Sequence, residues 1–431
     1  RKVGQTVSFP VTLRYAQGAP VALTTSTKIG DIAVNGKVTK APPANAPEGV
    51  KFEWVYTFTN YSTGSATGVD VRIPSISGLS LKSNCPVTLA PHAECSVSGE
   101  YTPSARAVGQ TISFPVTLRY NQGAPIELTR TTKVTKAKPI YAFITGETPS
   151  PIKCLVDRNT GKFYNCKDST ATAISNTRSI TLNAAGTRAF VTQGNAVMQC
   201  SIDPETRNLS ACSNTGATNL NTPRDITLNP TGTHAFIVNG SNKFGVSKII
   251  KCNVDSATGK FSACTNTDAT DIRFPAAITL NATGTRVFII NNRINRTITT
   301  CNVDPATGKF SACTRMGPKP RVSATTIAIT LNAAGTRAFI STITTDTTTN
   351  VIKCTVDPAT GSLSDCSDTG ATNFVYAIDI TLNATGTRAF ITDYDGNKII
   401  ECAVDPTTGD FSACANTGAT ALNNPIKTVL L

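Results

Sequence analysis

Six pairs of cysteines, each pair twelve positions apart, recur along this chain of 431 residues. They are Cys154/Cys166, Cys200/Cys212, Cys252/Cys264, Cys301/Cys313, Cys354/Cys366 and Cys402/Cys414, and CNVDPATGKFSAC at 301–313 is one copy. A seventh pair, Cys85/Cys95, is two residues tighter. No CxxC occurs, so zinc knuckles and thioredoxin-type redox sites have no support. An even number of cysteines in local pairs reads as seven disulfides and an oxidising, extracytoplasmic compartment. Each twelve-residue spacing straddles a turn, so it places the two cysteines on neighbouring antiparallel strands.

The pairs belong to a unit that starts near Ile140 and repeats every 46 to 52 residues. Each unit opens with a short strand, ITLN at 180, 226, 278, 329 and 380. A turn of the AAGT or ATGT kind follows, then a strand such as RAFVT or RVFII. After a variable loop, a third strand ends in the first cysteine, a DPATGK-type turn reverses the chain, and a fourth strand carries the second. Four strands in about 50 residues is the signature of a β-propeller blade. Five internal copies of the first strand stand against six cysteine hairpins. The counts balance if PIYAFIT (139–145) pairs with PIKTVLL (425–431), which predicts a six-bladed propeller over 139–431 closed by strand 425–431.

Residues before 139 follow another pattern. VGQTVSFPVTLRYAQGAPVALTTSTKI (3–29) returns as VGQTISFPVTLRYNQGAPIELTRTTKV (108–134). FEWVYTF alternates, placing Phe52, Trp54, Tyr56 and Phe58 on one face. The expectation is one β-sandwich over 41–138, with 1–40 the C-terminal part of an incomplete domain. NCPVTLAPHAECSVSGEYTP followed by TISFPVTLRY resembles bacterial immunoglobulin-like repeat domains. Likewise, LN-x-x-GTRAFI…N-x-I-x-x-C-x-VD-x-x-TG is similar to the YVTN and lactonase-like class of propeller repeats. The fold class is thus all-β throughout. The propeller resemblance implies no single activity, since that class holds hydrolases and non-catalytic surface proteins alike.

In a propeller the fourth strand is an exposed edge. Tying it to the third through a 13-residue loop stabilises a blade by about 2–3 kcal/mol. Opposed cysteines must lie face to face, and a bulge at the turn glycine, Gly308 in the quoted copy, is expected to supply the shift. The turn aspartates Asp157, Asp203, Asp255, Asp304, Asp357 and Asp405 fit the opening position of a turn. Arg188, Arg286, Arg337 and Arg388, with His234 as the variant, share a slot that serves the blade.

Several function classes drop out. The net charge is +13, but no basic stripe interleaved with aromatics marks a nucleic-acid surface. No stretch approaches the roughly 18 apolar residues of a membrane span. His92 and His234 are the only histidines, and no GxSxG, HExxH or phosphate-cradling loop is present. What varies between repeats is the loop-bearing face. Arg224, Arg273, Phe274, Arg293, Arg296, Arg315, Arg321, Phe374, Tyr376 and Tyr394 enrich it in the residue types that favour binding. Asp225 and Asp379 open innermost strands three blades apart, where the others carry Ser179, Ala277, Ala328 and Lys427. The resemblance implies a divalent cation such as calcium there as an alternative to a site without cofactor. The sequence therefore reads as an exported binding or scaffold module for a protein or glycan ligand. A metal-dependent lactonase-like hydrolase and a filament subunit that pairs with neighbouring copies through its N-terminal sheet stand as alternatives.

Overall fold

Alternating β-branched residues and glycine-bearing turns give strands almost throughout the computed structural model. It describes residues 6–13, 21–28 and 32–431, apart from 170–173, 241–247, 273, 292–296, 317–324 and 344–348; for 6–13, 21–28, 325–326 and 343 the backbone alone is described. Two compact units, Arg1–Lys138 and Pro139–Leu431, divide the chain.

In the first unit, Thr6–Leu13 and Val21–Lys28 form a two-stranded antiparallel hairpin. Beyond it, two four-stranded sheets share one core. One runs Val34–Lys40, Phe52–Asn60, Glu94–Tyr101, Leu79–Ser83; the other runs Asn45–Pro47, Ile126–Thr135, Thr111–Arg119, Asp70–Arg72. Trp54, Tyr56, Phe58, Val97, Phe114, Val116 and Leu118 fill the space between them without exposure. The Tyr56 hydroxyl, buried with its ring, donates to the Phe114 carbonyl at 3.0 Å. The boundary expected at residue 40 needs correction: Val34–Lys40 pairs with Phe52–Asn60, so the sandwich begins before residue 41. The alternating apolar face of Phe52–Phe58 needed an outer neighbour, and this short strand supplies it.

Among the described residues, the second unit contains six four-stranded antiparallel sheets. Five use consecutive strands. In the sixth, Ile140–Gly146 lies between Ile152–Val156 and Pro425–Leu430, with Ile144 opposite Thr428. The innermost strands Thr177–Leu182, Pro223–Leu228, Pro275–Leu280, Thr325–Leu331, Ala377–Leu382 and Pro425–Leu430 each neighbour the next, and the last neighbours the first. The ring closes with its two ends in one sheet.

All seven expected disulfides are present. Cys85 bonds to Cys95 beside the core of the sandwich, with Cα atoms 4.8 Å apart. In the propeller Cys154 bonds to Cys166, Cys200 to Cys212, Cys252 to Cys264, Cys301 to Cys313, Cys354 to Cys366 and Cys402 to Cys414, each with Cα atoms 4.1 Å apart. The first cysteine of each propeller pair is buried in its blade. Its partner on the outer strand is less covered: Cys166, Cys212, Cys313, Cys366 and Cys414 are half-buried, and Cys264 alone is buried.

The twelve-residue spacing conflicts with the turn inside it. In the fourth hairpin the turn pairs Val303 with Phe310 and Asn302 with Ser311, which would set Cys301 opposite Ala312 and turn Cys313 to the other face. One extra residue on the fourth strand corrects this, so that pairing resumes at Thr300 and Thr314. The extra residue is Ala312, at φ 46°. The same shift recurs in the other five sheets, at Asn165, Ala211, Ala263, Asp365 and Ala413, all between φ 46° and 51°. The bulge is therefore not at Gly308, as expected, but immediately before the second cysteine. Gly308 serves the turn, donating its N–H to the Asp304 carbonyl at 2.8 Å. Holding a non-glycine residue in the left-handed region costs about 1–2 kcal/mol, which the adjoining disulfide offsets.

The turns also join the blades. Asp255 Oδ1 accepts from the N–H groups of Ala257 at 2.8 Å and Thr258 at 3.0 Å. Such backbone donors, within each turn, hold all six turn carboxyls below their ordinary range. The turn's outward carbonyls then meet the arginine of the preceding sheet. Arg188 donates to Ala257 O at 2.6 Å and Thr258 O at 3.0 Å, Arg286 to Thr360 O at 2.6 Å, and Arg337 to Thr407 O at 2.8 Å. Arg388 reaches Asn159 O, which carries the pattern across the closure. His234, in the same slot, is buried beside Gly308 of the next turn. Aromatic pairs follow the same step: Phe190 with Phe261, Phe236 with Phe310, Phe339 with Phe411 and Phe390 with Phe163, centroids 5.1–5.3 Å apart.

Replacing Cys301 and Cys313 together with alanine should lower the unfolding free energy by about 2–3 kcal/mol in urea titration. An unchanged midpoint would remove the staple from the account of stability.

Candidate ligand-binding site at the channel mouth

A second set of bulges shapes the inner end of every sheet. On each innermost strand, pairing with the second strand slips by one residue: Pro223 faces Asn239, but Asp225 faces Val238. The residue left over is Arg178, Arg224, Ala276, Ile327, Ile378 or Ile426, one from each sheet. These six side chains, with Ser179, Asp225, Ala277, Ala328, Asp379 and Lys427 directly after them, line a cavity of about 220 Å³. Bulges re-aim side chains, and here they turn one residue per blade into the ring's opening. Two adjacent blades contribute arginine and three contribute isoleucine, so the opening has a cationic side and an apolar side.

Next to it lies a larger cavity of about 790 Å³, lined by Gly146, Glu147, Asn176, Arg178, Tyr376, Ile378, Tyr394, Asn423 and Ile426. Arg178, Ile378 and Ile426 belong to both. Its aromatic wall is fixed by backbone anchors. Buried Asp393, at the end of a second strand, accepts the Tyr376 N–H at 2.8 Å and the Val375 N–H at 3.1 Å. Tyr376 and Tyr394 meet edge to face with centroids 6.3 Å apart. The Tyr394 hydroxyl donates to Glu147 at 3.0 Å, and Asn424 Nδ2 donates to the other Glu147 oxygen at 2.9 Å.

Beneath the arginines, Lys427 reaches Asp225. Its Nζ lies 2.6 Å from Asp225 Oδ1, which also accepts from Ser179 Oγ at 2.7 Å; Oδ2 accepts the Ile278 N–H at 2.9 Å. Burial works against the Lys427 charge, but Asp225 and then Asp379 outweigh it and raise its pKa. Asp379 accepts the Thr428 N–H at 3.1 Å, and burial pushes its carboxyl up to about 6 against the pull of Lys427. This donor set does not fit a divalent cation. The Lys427 ammonium group already pairs with Asp225, Asp225 has both oxygens engaged, and no cluster of three or more potential ligands exists among the described residues.

Of the residues singled out from sequence, Arg224 lies in the smaller cavity and Tyr376 and Tyr394 in the larger. Phe374 instead packs against the hydrophobic core of its blade. Arg315 pairs with Asp271 at 3.2 Å. Phe274 lines neither cavity and takes φ 49°. Arg273, Arg293, Arg296 and Arg321 lie outside the described residues. The cysteines line neither cavity: Cys166, Cys212, Cys264, Cys313, Cys366 and Cys414 sit with their partners on the outer strands, and Cys85 and Cys95 belong to the other unit. All fourteen are consumed in disulfides, so no thiol is available for chemistry. Sequence reasoning passed over Arg178, Glu147, Asn176, Asn423 and the pairing role of Lys427. Alignment of the residue two before each ITLN would have exposed Arg178 beside Arg224.

Comparison with known proteins bears on the fold of the second unit. The family model described as Lactonase, 7-bladed beta-propeller, matches residues 180–376. Over these residues the second unit resembles lactonase-like propellers. The family is described with seven blades, whereas the described strands here make six sheets in a closed ring. A periplasmic gluconolactonase of Pseudomonas aeruginosa aligns at 12% identity over 68% of this chain and 99% of its own, with a TM-score of 0.50. A chain of a nidogen/laminin complex aligns at 13% identity over 68% and 98%, with a TM-score of 0.52. A protein from Lactobacillus plantarum aligns at 14% over 68% and 100%, with a TM-score of 0.50. At such identities the likeness is one of fold. No curated protein matches the sequence.

The raised Asp379 carboxyl has a signed consequence. An unfolded aspartate titrates near 3.9, so between about pH 4 and 6 the folded protein holds the extra proton. The stability that this proton contributes is fully present below about pH 4 and is lost as pH rises through about 6. Asp379→Asn should therefore raise stability at pH 7 by about 2–3 kcal/mol and leave it unchanged at pH 4, as followed by denaturant titration at both pH values. An equal effect at the two pH values would contradict the assignment.

Proposed function

We propose that this is an exported, extracytoplasmic binding protein, in which immunoglobulin-like sandwich domains accompany a disulfide-stapled propeller that recognises a protein or glycan ligand on its loop-bearing face. The observation that carries the reading is the pair of joined cavities at the channel mouth, where two tyrosines, two arginines and Glu147 converge from different blades. Aromatic and arginine side chains gathered in a concave site are the residue types that dominate recognition. Seven disulfides support an oxidising compartment.

The matching family model favours a second reading, a lactonase-like hydrolase that uses Asp379 as a base. Its carboxyl titrates at about 6, within the range useful for proton transfer. That reading expects turnover of a lactone such as glucono-δ-lactone and its loss in Asp379→Asn.

For binding, Tyr376→Ala should weaken adhesion to a panel of glycans and surface proteins about tenfold or more, with an unaltered thermal transition. Adhesion that survives the substitution would count against this face.

A further inference from the structure

The charge balance of the mouth identifies a chemical class of ligand. Its carboxylates are already engaged: Asp225 by Lys427, Ser179 and Ile278, Asp379 by the Thr428 N–H, and Glu147 by Tyr394 and Asn424. Its guanidinium groups are not. Arg178 is exposed, Arg224 is half-buried, and neither enters an ion pair among the described residues. Burial, and after it the charge of Arg178, make the Arg224 charge less favourable than usual. Two neighbouring cations with no acid paired to either among the described residues are an arrangement that a bound anion would relieve.

The rest of the opening limits what that anion can be. Ala276, Ile327, Ile378 and Ile426 occupy the other bulge positions, so a ligand charged on every side would be disfavoured there. Tyr376 and Tyr394 supply an aromatic wall on which the apolar face of a sugar ring can lie, and Asn176, Asn423 and Glu147 supply partners for hydroxyl groups. A cavity of about 790 Å³ is within the range of small-ligand sites.

Building on the binding reading above, we propose that the channel mouth takes a uronic-acid residue of an acidic glycan, with its carboxylate on Arg178 and Arg224 and its ring against Tyr376 and Tyr394. A planar carboxylate matches the two-pronged donation of guanidinium, and the ring supplies the uncharged face that the isoleucine side requires. Recognition of this kind weakens with salt.

The test is calorimetric titration of the full chain with an oligogalacturonate and with its methyl ester, which has the same ring and no charge. The acid is expected to bind about tenfold or more tightly than the ester, and Arg178→Gln to lower affinity for the acid about tenfold while leaving the ester and the thermal transition unaffected. Equal binding of acid and ester, or full acid binding by Arg178→Gln, overturns the charge assignment while leaving a glycan-binding face in place. Binding of neither probe overturns the uronic-acid assignment. In that case, loss of adhesion to some other glycan or protein in Tyr376→Ala would show that the broader reading still holds.

Discussion

Everything in the propeller depends on a mismatch of one residue between its turns and its cysteines. The Asp-x-x-x-Gly turn fixes a register in which the second cysteine would face away from the first. An unpaired residue in the left-handed region brings it back. That conformation is unfavourable for alanine, so bulge and disulfide depend on each other, and the outer strand of each blade is held by a covalent bond as well as by ladder hydrogen bonds. With its rim fixed in this way, a blade holds together around few large apolar side chains. One phenylalanine of its second strand stacks on the outer strand of the next blade in four of the six steps.

The same device, one residue out of register, acts at both ends of a blade with different results. At the rim it aligns a cross-link. At the hub it turns a side chain into the channel mouth, and there the repeats diverge into arginine, alanine and isoleucine. The rim is uniform because every blade needs its fourth strand held. The hub has no such requirement once Asp225, Asp379 and Lys427 tie the innermost strands together. Asp225 reaches the backbone of the following strand through Ile278, and Asp379 does so through Thr428.

Much of this was legible in the sequence because it is carried by spacing. Cysteines twelve positions apart, ITLN recurring every 46 to 52 residues and Asp-Pro turns predict hairpins, four-stranded units and closure through 425–431 without reference to distant contacts. Bulges escape such reasoning, since an extra residue leaves no mark on periodicity. Glycine is the usual guess for a bulge, so Gly308 drew the assignment that belongs to Ala312. Arg178 was missed for a similar reason: it is the residue left out of register, and it resembles an ordinary surface arginine until the sheet is assembled. The pairing of Lys427 with Asp225 links positions 202 residues apart, across a ring that exists only after closure. Phe374 erred in the other direction, because an aromatic residue in a connection can equally cap the core of its own blade.

The most direct test of the staple is peptide mass spectrometry of the unreduced protein with free thiols blocked. Each of Cys154, Cys200, Cys252, Cys301, Cys354 and Cys402 should appear linked to the cysteine twelve positions downstream, respectively Cys166, Cys212, Cys264, Cys313, Cys366 and Cys414. Blocked free thiols at these positions, or links between different repeats, would contradict the account.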